Sequence, residues 1–173
     1  MRRVIALLRG VNVSGRNKVP MADLRAALTA AGFADVATLI QSGNIGITTD
    51  APLDTIVDAI AGTLLESFEV DVPVVALERD DLVAIAERWP LREGDPSHQL
   101  IYFVSGKVDE DGVAAMDRDR YPGDTIVGAP DAIYVEYGAG QSKTKLTLAH
   151  LEKAAGVSVT GRNLKTVAKL RDL

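Results

Sequence analysis

The sequence predicts an α+β protein made of two tandem modules. Three observations lead there: short apolar runs alternate with longer segments of helical periodicity, turn residues punctuate them, and one order of elements is met twice along 173 residues. That length is enough for one domain with a full core or for two small ones sharing an interface.

Val4 to Leu8 is wholly apolar between Arg3 and Arg9 and reads as a buried strand. After a polar stretch, Pro20 suits a first helical turn, Met21, Leu24, Leu28 and Ala31 recur at helical spacing, and Gly32 supplies a stop. Val36–Gln41 and Asn44–Thr48 flank Ser42-Gly43, a hairpin signal. Leu53, Ile56, Val57, Ile60 and Leu64 form one helical stripe ending near Phe68. Val70–Leu77 reads as a strand in which Pro73 implies an edge position or a late start. The order is β-α-β-β-α-β, the ferredoxin-like arrangement.

Asp80 is placed to cap a helix through Leu82, Ile85, Ala86 and Trp89 that Pro90 ends, and the polar Leu91–Pro96 segment reads as a seam. The expected domains are therefore 1–90 and 97–173. In the second, Gln99–Val104 is a strand, 110–117 a weak helix, Thr125–Val127 and Ala132–Tyr137 a pair of strands joined through Pro130-Asp131, and 144–155 a helix. A short helix from Asn163 to Leu170 is expected in place of a last strand.

Composition narrows the function classes. Apolar residues make up 47% and charged residues 25%, an ordinary globular balance. No apolar run approaches a bilayer span, and Arg9 interrupts the first one too early for a signal peptide, so a cytoplasmic protein without membrane association is expected. There is no cysteine, and His98 and His150 stand far apart without carboxylates at ligand spacing. Neither a metal nor a cofactor is expected, and no residue is assigned a catalytic role.

Charge is segregated beneath the net −5. Residues 1–18 carry Arg2, Arg3, Arg9, Arg16 and Lys18 without an acid, and residues 139–173 carry seven cations against two acids, so each end has a formal +5. Both ends also contain a Gly-x-x-x-x-Gly-Arg-Asn stretch, Gly10–Asn17 before Lys18 and Gly156–Asn163 before Lys165. Glycine, amide and guanidinium groups on loops are donors suited to an anion. The first stretch fails as a P-loop, because Arg16 and Asn17 replace the lysine and hydroxyl residue and Pro20 delays the helix. It is expected to lie beside the hairpin, setting Arg9, Asn12, Arg16, Asn17 and Lys18 near Gln41, Ser42 and Asn44. In the second, Gly156 caps a helix, Thr160 or Gly161 caps the last one, and Arg162, Asn163 and Lys165 sit at its start, joined by Lys143 and Lys145. The two stretches are expected to share one anion. Turn chemistry alone accounts for the glycines and amides but not for three cations in one loop. RNA-recognition modules share this element order, but Val4–Leu8 and Asn44–Ile47 lack their stacking aromatics.

Leu7–Met21 with Leu39–Asn44, and later Ser142–Leu146 and Thr160–Val167, resemble the signatures of the bacterial domain-of-unknown-function family 1697 along the whole chain. The resemblance implies two α+β parts and brings no activity, substrate or cofactor with it. Leu164 stands where the family pattern carries tryptophan, removing a stacking group. The expected function is binding of a phosphate-bearing small molecule or nucleic acid. One alternative is a metal-independent hydrolase of a small phosphorylated or acyl-phosphate compound, by analogy with acylphosphatases, in which Arg9 or Arg16 clamps the phosphoryl group and Asn44 positions water. A structural interaction module without a ligand is the other.

Overall fold

The protein is described from a computed structural model covering residues 1–13, 15–91 and 94–173. Ser14 of the first glycine stretch and Arg92 and Glu93 of the Leu91–Pro96 segment lie outside the described residues. Two compact units divide the chain: Met1–Val83 with Lys169–Leu173, and Ala84–Ala168.

The first unit contains β1 (Arg2–Leu8), α1 (Met21–Ala30), β2 (Ala34–Leu39), β3 (Asn44–Thr49), α2 (Leu53–Phe68) and β4 (Val74–Glu78). Its antiparallel sheet has the order β2-β3-β1-β4. Pro73 thus marks both an edge strand and a late start, since a residue without an N–H cannot join the ladder. Val4, Ala6 and Leu8 alternate onto one face with Ile45 and Ile47, and there meet Leu24 and Leu28 of α1 and Ile56, Ile60 and Leu64 of α2. The α2 stripe is buried as its spacing requires, with Leu53 packed at its margin. Full burial of each such side chain contributes about 1.5–3 kcal/mol. On the opposite face Ile5 and Leu7 are also buried. Arg3 lies there too, its Nε donating to Leu173 O at 2.7 Å and its Nη1 to Asp35 O at 2.7 Å, and burial lowers its pKa. A Cβ on Gly46 would meet that guanidinium and stand 3.0 Å from Leu173 Cγ, so a side chain here would displace the Arg3 head group from its present position.

The chain continues through α3 (Arg79–Glu87) into the second unit: β5 (Gln99–Val104), α4 (Glu110–Ala114), a 3-10 turn (Arg118–Arg120), β6 (Thr125–Ala129), β7 (Ala132–Glu136), α5 (Leu148–Ala155), β8 (Val159–Asn163) and α6 (Leu164–Leu170). The sheet order is β6-β7-β5-β8, again antiparallel throughout. Leu100, Tyr102, Ile133, Val135 and Val159 face Val113 of α4 and Leu151 of α5. On the other face Tyr134 donates to Ile85 O at 2.9 Å and packs in a T-shape with Trp89 at 5.7 Å between ring centroids.

The two sheets correspond residue by residue. Val4 pairs with Ile47 on one side and Glu78 on the other, and Leu100 takes the same place between Val135 and Asn163. Each fourth strand runs directly into a helix, α3 or α6, whose buried residues follow at the same interval: Leu82 and Ile85 in one, Val167 and Leu170 in the other.

Several expectations are corrected. The second module does possess its last strand: β8 precedes a final helix that starts at Leu164. Its pattern hides it, because Gly161 occupies the core side, where a Cβ would lie 2.6 Å from the Tyr102 ring. The helix expected over 144–155 begins only at Leu148, after Thr147 and His150 close a capping box. The helix of 110–117 ends at Ala114, and α3 starts at Arg79 directly from β4. Among the described residues no helix is long and apolar enough to cross a membrane.

Candidate functional site

The first basic loop is built by its asparagines. Asn12, in the left-handed region at φ 54°, donates through Nδ2 to Val19 O and Gln41 O, both at 2.8 Å, and its Oδ1 accepts from Val19 N–H at 2.9 Å. Asn17, at φ 48°, donates to Gly10 O at 3.0 Å. A bridge between Val13 and Arg16 closes the loop. The β2–β3 turn lies alongside, Gln41 contributing its backbone carbonyl to Asn12. Asn44 is fully buried, and both its amide hydrogens serve the turn, donating to Leu39 O and Ser42 Oγ at 3.0 Å. Gly43 at φ 73° backs onto Leu8 and Val11, each 2.6 Å from where a Cβ would stand.

The amides are thus spent on the loop itself, and the cations are what it presents. Arg16 and Lys18 are exposed and make no ion pair with a described residue, and Arg9 is half-buried, its N–H donating to Pro73 O. Two apolar side chains share this end of the unit, Val13 at 55% and Ile40 at 50% exposure. Ile40 sits at φ 49°, a region where a β-branched residue is strained by about 1–2 kcal/mol.

The second stretch is less a loop than a cap, a strand and a second cap. Gly156 ends α5 at φ 69°. Arg162 lies within β8 at 9% exposure, its Nη1 donating to Thr160 Oγ1 at 3.0 Å and Gly161 O at 2.9 Å, and burial pulls its pKa down to about 10. Asn163, rather than Thr160 or Gly161, caps α6 by accepting from Thr166 N–H at 2.9 Å. Lys165 stands 3.7 Å from Asp95, whose pKa is lowered chiefly by the Ser97 hydroxyl and N–H. The first stretch lies in one unit and the second in the other.

Lys143 and Lys145 are exposed on the segment between β7 and α5. Asp124 anchors that segment at two points, accepting from Gly138 N–H at 3.3 Å and from the Thr144 hydroxyl in a short bond. Thr144 Oγ1 in turn accepts from Leu146 N–H at 2.9 Å. Beneath it the Tyr102 and Tyr137 hydroxyls share a hydrogen bond inside the core, and Gln141 donates to Tyr102 at 3.4 Å. Asp124, Tyr102 and Tyr137 carry no local sequence signal, since their partners are far along the chain. Among the described residues no group of three or more histidines and carboxylates is placed to hold a metal ion.

Two α+β units with basic segments on preformed turns define the class, and comparison with known proteins supplies the family. The chain belongs to the family described as protein of unknown function (DUF1697), whose model matches residues 1–134. It is similar over 99% of its length to a solved structure, the conserved bacterial protein SP0830 from Streptococcus pneumoniae, with 97% of that chain covered, 26% identity and a TM-score of 0.76. No curated protein matches it.

Proposed function

We propose that this protein binds a phosphate-bearing small molecule or nucleic acid in the cytoplasm, through the cations of its basic segments. Arg9, Arg16 and Lys18 act in the first unit, and Lys143, Lys145 and Lys165 in the second. The observation that carries the reading is the division of labour in the first loop, where Asn12 and Asn17 fix the backbone while Arg16 and Lys18 stay exposed and unpaired. A loop held this way loses little freedom on binding, and charge-assisted hydrogen bonds to phosphate are among the stronger polar contacts. Gln41, Ser42 and Asn44 support the turn beside it, and Arg162 and Asn163 shape the second segment from within. The hydrolase alternative asks Asn44 to position water, yet its amide hydrogens are already committed.

The test is fluorescence anisotropy with a labelled single-stranded RNA oligonucleotide, competed by tripolyphosphate, on wild type and an Arg16→Ala/Lys18→Ala variant. Binding by the wild type, displacement by tripolyphosphate and at least tenfold weakening in the variant are expected. Equal affinity of the two proteins would refute the assignment.

A further inference from the structure

Two adjoining concavities of the second unit, each of about 270 Å³, share Arg120 and Tyr121. One is completed by Pro122 and Lys145, the other by Met116, His150 and Lys153. Together they approach the size of a small-ligand pocket. Two regions distant in sequence bring the charges: the 3-10 turn gives Arg120, and α5 with the segment leading into it gives Lys153 and Lys145. None of these three is ion-paired with a described residue. Asp117 and Asp119 also line the walls, but Asp117 Oδ1 is engaged, accepting from Asp119 N–H at 3.1 Å.

The aromatic groups add shape and a donor. The Arg120 guanidinium lies 6.0 Å from the centroid of the Tyr121 ring, and the His150 imidazole stands 5.7 Å from the same ring. Because His150 Nδ1 accepts from Thr147 N–H in the capping box, the neutral imidazole carries its proton on Nε2, where it is free to donate. Cations beside an apolar wall of Tyr121, Pro122 and Met116 suit an anion attached to an organic body better than a bare ion.

We propose that this paired concavity is a binding site for the phosphate monoester of a small organic molecule. Arg120 at the junction grips the phosphate together with Lys145 or Lys153, and the organic part lies against Pro122 or Met116 and the rim of the buried Tyr121 ring. The site shares Lys145 with the basic segments proposed above but uses no residue of the first loop, so its test at Arg120 and Lys153 stands apart from the test of that loop.

The experiment titrates phenyl phosphate, and separately inorganic phosphate and phenol, into the protein while following the His150 and Tyr121 ring signals by NMR. Phenyl phosphate is expected to shift both saturably and to bind more tightly than either fragment. Arg120→Gln should weaken it at least tenfold and Lys153→Gln severalfold, whereas Lys107→Gln, at an exposed position outside both sites, should leave it unchanged. Arg120 and Lys153 are exposed, so both variants should fold. Absence of any shift at millimolar phenyl phosphate, an equal response to inorganic phosphate, or full binding by Arg120→Gln would each overturn the proposal.

Discussion

Amide and cation take opposite parts within a few residues of the first loop. Asn12 makes three side-chain hydrogen bonds, so Asn12→Ala leaves two carbonyls and an N–H without it and should cost about 2–3 kcal/mol in chemical denaturation. Arg16→Ala touches no such network and should stay within about 0.5 kcal/mol of wild type. Arg162 belongs with the first kind, because its buried guanidinium holds Thr160 and Gly161, and Arg162→Ala should lower the melting temperature clearly. Burial also raises the pKa of Tyr102, Tyr134 and Tyr137 above the ordinary 10.0. A folded pKa above the unfolded one contributes stability that is present below pH 10 and lost as pH rises beyond it. In an alkaline titration the tyrosinate absorbance of these three should therefore appear together with unfolding, and a separate native-state titration near pH 10 would contradict their burial.

Elements were legible where side chains alternate or recur against a core. The α2 stripe and the β1 run are such cases, and their burial follows from spacing alone. β8 was not legible, because an edge strand with glycine under Tyr102 shows only Val159 to the core. The twin glycine stretches mislead for a related reason: the letters agree, but one forms a loop and the other spans a helix cap and a strand. Turns leave a sharper mark in their backbone. Ile40→Gly should stabilise the protein by about 1 kcal/mol by relieving the left-handed strain, as read from the denaturation midpoint. Gly43→Ala should destabilise it by at least about 2 kcal/mol, since the new Cβ meets Leu8 and Val11 at a positive φ.

At the scale of the molecule, two units share element order and strand register while their sequences differ, and the pairing of Val4 and Leu100 shows the correspondence that side chains conceal. The basic segments were readable as sets of charges, and the hydrogen bonds that fix their backbone were not, because bonds such as Asn12 to Gln41 join residues 29 apart. A net charge of −5 repels an anion at long range, so binding must come from cations acting within a Debye length of about 10 Å at 0.1 M salt. The salt dependence of affinity for single-stranded RNA measures those local contacts most directly. The log of the binding constant should fall linearly with the log of salt, and Arg16→Ala/Lys18→Ala should make the slope shallower by about 1.4, which is about 0.7 for each lost phosphate contact. An unchanged slope in that variant, or no binding by the wild type at low salt, would contradict the account.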